Sequence, residues 1–312
     1  MRLKITLLFI YFIGHFVQAQ DSKFLKYEAK LVVDNDAFTL NLYKDQYYTS
    51  GIFPSFRYIK DSASHHRIIH SFQLNHRIFT PKDITWGLED LLDRPYAGQI
   101  SGSFISQHYF ESETYLQLQV EIGWMGPSTK IAETQTHWHH FFNMGIPKGW
   151  KYQINDTPIA TFYFTYAKSL FRSERFELLS ESNLGVGTVN DWARQEFVIR
   201  YGNFLKINRG AFYSAKTGYH RTKSKFKRLE EAYLFYAPGL EFVAYNASIE
   251  GNFIGKPSTY IEKTVPWIIQ HRFGAMLSWP VYDLGFTGYV RSKETTEATG
   301  HYYIGIRMNQ RF

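Results

Sequence analysis

Cysteine is absent from all 312 residues of the chain. That excludes a small domain stapled by disulfides and any thiolate metal centre. Beyond the N-terminal segment there is also no run of roughly 18 or more apolar residues, so the pattern excludes membrane-spanning helices. The net charge of +7 comes from 35 Lys and Arg against 28 Asp and Glu, yet it is spread along the chain. Only Arg221 to Arg228, with Lys223, Lys225 and Lys227, forms a basic block. With no nucleic-acid-binding module beside it, nucleic acid is not an expected partner. The block reads either as a solvated loop or as a contact to anionic lipid headgroups.

What is present begins with Met1-Arg2-Leu3-Lys4, an apolar stretch from Ile5 to Val17, and Val17-Gln18-Ala19 before Gln20. A short basic segment, an apolar core too short to span comfortably, and small residues at a cleavage point describe a secretory signal peptide. The expected organisation is therefore a signal peptide over 1–19 and a mature protein over 20–312, outside the cytoplasm.

Aromatic residues make up 18% of the chain, with 23 Tyr and 27 Phe. Membrane barrels place such side chains in girdles where the bilayer meets water. Along the chain, polar and apolar residues alternate in segments of about ten. Leu116, Leu118, Val120, Ile122 and Trp124 share one face, and Tyr115, Gln117, Gln119 and Glu121 the other. Likewise Leu284, Phe286, Gly288 and Val290 alternate with Asp283, Thr287 and Arg291, and Tyr302, Ile304, Ile306 and Met308 with Tyr303, Arg307, Asn309 and Arg311. The period of two makes these strands. It does not by itself separate a soluble sandwich from a barrel with its apolar face in lipid. The signal peptide, the aromatic load and a terminal Phe312 closing an amphipathic strand favour the barrel.

Strands are expected at 27–35, 48–60, 66–76, 98–110, 113–125, 153–170, 174–187, 194–204, 231–249, 266–279, 281–293 and 300–312. The fold class is then all-β: a transmembrane antiparallel β-barrel of about twelve strands, in the outer membrane of a Gram-negative bacterium and monomeric. The stretch 205–230 has no convincing strand pattern and reads as a periplasmic loop or a hidden hairpin. With both termini in the periplasm, odd strands run outward. Asn35-Asp36, the run Asp45 to Gly51, Asp93 to Gly98 and the segment after strand five then gather at the outer rim. That segment, from Lys130 to Phe142, lacks Gly and Pro and follows Gly126-Pro127-Ser128, which predicts a short helix in an extracellular loop. Gln135 and His139, four apart, share one of its faces.

These motifs, in this order, resemble those of the lipid A 3'-O-deacylase family, the LpxR-type proteins of Gram-negative outer membranes. The matching stretches are Asn35-Asp36-Ala37-Phe38, Asp45 to Gly51, Asp93 to Gly98, Gly126-Pro127-Ser128, Gln135 with His139, Gly149-Trp150 with Gln153, Arg291 to Glu294 and Arg311-Phe312. The resemblance implies a calcium-dependent hydrolase that removes the 3'-linked acyloxyacyl group of lipid A, with lipopolysaccharide as substrate. It implies His139 as catalytic histidine, with Gln135, Asn35, Asp36 and Thr49 as further site residues. Two departures stand out. No acidic residue occurs between His139 and Asp156, with Lys151 beside Trp150, and Thr129-Lys130-Ile131 follows the Gly-Pro-Ser break without a Gly.

The residue types suit that chemistry. A neutral His is a good base for a water molecule, a hard cation on Asp36 and nearby oxygens would stabilise an oxyanion, and Asn35, Gln135 and Thr49 can orient water and ester. Each also has a plainer meaning. Asn-Asp at a strand end is ordinary turn chemistry, Thr49 is a good strand former, and His137 and His140 compete with His139 or form a transition-metal site of their own. Two other functions remain open: a non-enzymatic pore or scaffold barrel, and an outer-membrane phospholipase drawing on Ser50 or Ser128.

Overall fold

A computed structural model of the chain describes residues 24–39, 45–62, 65–219 and 228–312. The expected signal peptide and the basic run from Arg221 to Lys227 lie outside these described residues.

Twelve strands form one closed antiparallel barrel in which each pairs with its chain neighbours and the last pairs with the first. They are β1 (Tyr27–Asn35), β2 (Tyr47–Ser62), β3 (His66–Thr80), β4 (Ala97–Phe110), β5 (Thr114–Met125), β6 (Thr157–Arg172), β7 (Phe176–Gly187), β8 (Asn190–Asn203), β9 (Glu231–Asn246), β10 (Trp267–Ser278), β11 (Tyr282–Arg291) and β12 (His301–Arg311). Closure is made by β1 on β12, from Glu28 opposite Arg311 to Asn35 opposite Ile304. A closed ladder leaves no unpaired strand edge, which a sheet in lipid cannot tolerate.

The burial pattern decides between sandwich and membrane barrel. On β5, Val120, Ile122 and Trp124 face outward, with Ile122 67% exposed, while Tyr115 and Glu121 are buried inside. Phe72, Leu74, Phe104, Phe197, Leu234, Trp267 and Phe273 extend the apolar exterior around the wall. A water-soluble protein would bury this face; one in a bilayer presents it to lipid. Among the described residues no helix is long and apolar enough to cross a membrane.

The inward faces carry the charges. Glu28 meets Arg57 and Arg311, Arg311 meets Asp283 at 2.6 Å, Arg272 joins Glu181 and Glu196 at 3.0 and 2.9 Å, and Glu241 joins Arg194 and Arg291, each at 2.9 Å. Buried ions persist only when paired in this way. At the end holding the chain termini, the segment after β8 turns into the lumen. Arg57 donates to the carbonyl of Ser214 (3.0 Å), Tyr109 to that of Tyr213 (2.8 Å) and Arg307 to those of Phe212 and Ala211 (2.9 Å each). Ile207, Ala211 and Ala215 pack there against Tyr109, Tyr115, Tyr233 and Phe235. Among the described residues of the stretch 205–230 there is no further hairpin; residues 204–219 of this connection enter the end of the barrel that holds the termini. Apart from this β8–β9 connection, the longer connections lie at the opposite end, which is the arrangement of extracellular loops.

Candidate active site

The helix expected in the β5–β6 connection is α1 (Ile131–Phe142). Two glycines seat it. Gly126 has φ of +115° and lies so close to residues 155 and 156 that a Cβ would come within 2.8 Å of their backbone. At Gly98 on the barrel wall a Cβ would meet that of Ile131 at 2.7 Å. Removing the side chain at each place lets the helix lie down on the rim. Asn143, in the left-handed region, ends it. Its buried residues are Ile131, Gln135 and His139, one row at a spacing of four.

Opposite that row stands Asp45, from the connection between β1 and β2. Its Oδ2 accepts from Nε2 of Gln135 (2.8 Å) and lies 3.0 Å from Nε2 of His139. Nδ1 of His139 faces the carbonyl of Gly145 at 2.5 Å. Trp150 donates its indole N–H to Oε1 of Gln135 at 2.9 Å. Since an indole only donates, it fixes the amide with its NH₂ towards Asp45. A single chain of bonds therefore runs Trp150, Gln135, Asp45, His139, Gly145, and all four of its side chains are buried. The foot of β2 is pinned beside it: the Tyr47 hydroxyl donates to Asp93 (2.7 Å) and accepts from the Thr299 N–H (2.8 Å).

Asp36 lies at the same rim and is 3% exposed. Its Oδ2 accepts from the Gln46 N–H at 2.8 Å, while its Oδ1 is buried with no partner. Burial, then the charge of Asp45, push the Asp36 carboxyl well above the usual range. For His139, burial favours the neutral ring. The hydrogen bond and charge of Asp45, with the Gly145 carbonyl, outweigh it and raise the pKa.

Of the five residues expected in the site, Gln135 and His139 are brought into one bonded unit. Asp36 shares their rim and reaches them through Asp45, not directly. Asn35 caps the short 3-10 turn Asp36–Phe38 by accepting from the Ala37 N–H at 2.7 Å, its turn role. Thr49 is buried at the rim, sharing a hydrogen bond with Thr80 at 2.7 Å, with no bond to the histidine. His137 points back to its own helix backbone at Glu133 and His140 is exposed. Among the described residues no three His, Cys, Asp or Glu side chains converge as metal ligands. Ser128 gives its hydroxyl to Asp156 and not to a histidine.

The member that sequence reasoning leaves out is Asp45. It stands among the polar residues of the rim, but the search for an acidic partner of His139 runs forward from the helix, where none occurs before Asp156. The partner arrives from the opposite direction. Trp150 is likewise visible as a motif residue without a role until its N–H is seen on Gln135.

A family model described as outer membrane protein LpxR matches residues 5–312. No curated protein matches the chain. Among solved structures, LpxR from Salmonella typhimurium is 16% identical, with a TM-score of 0.71 over 91% of this chain and 100% of that one. The β domain of the Bordetella autotransporter BrkA is 8% identical, with a TM-score of 0.46 over 92% and 99%. The first of these likenesses is one of fold. It is the match of the family model over nearly its whole length that places the chain: it belongs to the LpxR family of outer membrane proteins.

Proposed function

We propose that the protein is an outer-membrane ester hydrolase that removes the 3'-linked acyloxyacyl group from lipid A, with His139 as the base for a water molecule. The observation that carries this reading is the Gln135–Asp45–His139 unit, buried at the rim of a barrel whose apolar wall faces lipid. Family membership and the resemblance of the ordered motifs supply the substrate class. The pore reading is opposed by a lumen occupied by ion pairs and by residues 204–219.

With Nδ1–H donating to Gly145, the basic atom of a neutral His139 is Nε2. In the resting arrangement Nε2 faces Asp45 directly, an environment that raises the pKa and so favours the ring's cationic form. The reactive form follows when the Nε2 proton is lost and one water enters between Nε2 and Oδ2 of Asp45. The water then gives one hydrogen to each acceptor and turns a lone pair to the ester carbon, while Gln135 keeps the carboxylate in place. As the water attacks, Nε2 takes its proton and later returns it to the leaving alkoxide.

The donor chemistry at Asp36 suits a hard cation such as calcium: a buried carboxylate oxygen without a partner. Asp36 with nearby backbone oxygens would hold it, and it would supply charge stabilisation for the oxyanion. The test is expression in a Gram-negative host with hexa-acylated lipid A and mass analysis of the extracted lipid. Loss of an acyloxyacyl unit, abolished by His139→Ala and by chelation, is expected. Unchanged lipid A beside folded barrel in the outer membrane would sink the reading, and loss that survives chelation would remove the calcium role alone.

A further inference from the structure

Helix α1 has a second face that the hydrolytic site does not use. Beside the buried row of Gln135 and His139, on an adjoining face of the helix, Trp138 is 50% and Phe141 73% exposed. Phe142 bridges them, its ring centroid 4.6 Å from that of Trp138 and 4.9 Å from that of Phe141. The chain around this cluster is acid-free from Thr134 to Asn155 and carries Lys148 and Lys151, both exposed. A groove lined by Ile100, Trp124, Ser128, Thr129 and Asp156 runs between the outward apolar wall and the turn just before the helix. Helix α1 thus begins beside the surface that meets lipid.

We infer that the aromatic face of α1, with Lys148 and Lys151, docks onto a lipid surface whose phosphorylated headgroups carry net negative charge. An amphipathic helix with exposed aromatics, followed in the chain by exposed lysines, is the physical form of an interfacial anchor. Between Thr134 and Asn155 the chain carries no carboxylate, with Glu133 and Asp156 only at its two ends, and each lysine near an anionic surface contributes about fivefold in affinity. The aromatic rings enter the acyl layer and the ammonium groups stay at headgroup level. The inference deepens the lipid A reading by naming what the rim recognises before an ester reaches His139, and it rests on that reading.

The absence of cysteine makes the test site-specific. Thr134 is exposed one turn before Trp138, so Thr134→Cys takes a polarity-sensitive fluorophore at one place only. The labelled full chain is reconstituted in nanodiscs of phosphatidylcholine, with or without added lipid A, whose phosphates survive deacylation. A blue shift is expected with lipid A. It should vanish in Trp138→Ser/Phe141→Ser and weaken in Lys148→Gln/Lys151→Gln or at high salt. In parallel, the Trp138→Ser/Phe141→Ser variant should raise the apparent KM for lipid A about tenfold while leaving turnover of a short, water-soluble ester unchanged. An identical spectrum in wild type and the aromatic variant overturns the proposal, and so does a full shift in phosphatidylcholine alone. A shift without any hydrolysis would leave the docking surface standing and remove the deacylase reading. Hydrolysis with an unmoved KM and no shift would do the reverse.

Discussion

Asp45→Asn removes one charge from the centre of the site and almost no volume. In the structure Asp45 Oδ2 is 3.0 Å from His139 and 2.8 Å from Gln135, and both its partners are nearly excluded from water. The carboxylate has two effects there. It raises the pKa of His139 against the opposing influence of burial, and in the proposed mechanism it is the second acceptor for the attacking water. A His held cationic cannot act as a base, so activity in the wild type climbs with pH through that raised pKa. Without the carboxylate the ring loses its proton more readily, and the acid limb of the kcat profile moves to lower pH. The plateau falls at the same time, because the water now has one strong acceptor where it had two. A positioned acid–base group is worth about 10²–10⁴ in rate. With His139 retained, the loss should lie near the lower end of that range, and His139→Ala should approach the upper. The assay is release of the acyl chain from lipid A in mixed micelles, followed by mass spectrometry from acid to mildly alkaline pH. A plateau lowered with the acid limb unmoved, or moved to higher pH, would refute the account of how Asp45 sets the charge on His139.

Trp150→Phe keeps the packing of the ring but deletes the only indole donor to Gln135, so its amide can turn and present oxygen to Asp45. Turnover should fall roughly tenfold, as loss of a buried hydrogen bond of about 1–2 kcal/mol implies, with barrel folding unchanged by heat-modifiable gel mobility. Glu28→Ala strips the shared carboxylate from Arg57 and Arg311 inside the lumen. Leaving two buried guanidinium groups short of a partner should cost about 3–5 kcal/mol, read as a lower urea midpoint for unfolding from lipid vesicles. In planar bilayers the wild-type protein should give no steady conductance, and Arg57→Ala/Arg307→Ala, which frees residues 204–219 from two of their lumen anchors, should open one. Stable ohmic channels in the wild type would contradict the filled lumen.

The strands were legible because a sheet with lipid on one side and charges on the other repeats every two residues without interruption. Where the repeat is locally broken, the boundaries slip. β8 begins at Asn190, before the expected 194, because the Asn190-Asp191-Trp192 start carries a register shift between Asp191 and Trp192. The expected strand at 153–170 starts instead at Thr157, since Trp150–Tyr152 forms a 3-10 turn and Gln153 bridges to Tyr96 across the rim. Helix α1 was legible from its missing Gly and Pro and from the Gln135 and His139 spacing. The filling of the lumen was not. Residues 204–219 are recognised there largely through backbone carbonyls, which every sequence possesses, by arginines far away in the chain. The Asp45 partner was hidden for a similar reason: no local pattern ties a loop carboxylate to a histidine in a distant helix.

An inside-out barrel divides its chemistry unevenly. Most charged side chains of the wall point into the lumen, where isolation from water obliges a charge to find a partner. Glu177 with Arg200, Glu121 with Arg77 and Asp283 with Arg311 are committed in this way, and a committed ion has little freedom to take part in a reaction. The ladder also fixes the positions of the strand residues. Only the connections at the rim escape both constraints. There Asp45 and α1 approach from separate loops, and Asp36 keeps one carboxylate oxygen without a partner. The same reasoning accounts for both faces of α1. On the proposed reading, the histidine row is shielded because its acid–base balance depends on burial, and the aromatic face is open because the medium it meets is lipid and not water. A site for a lipid ester is then economically built on an element that lies between the wall and the rim loops.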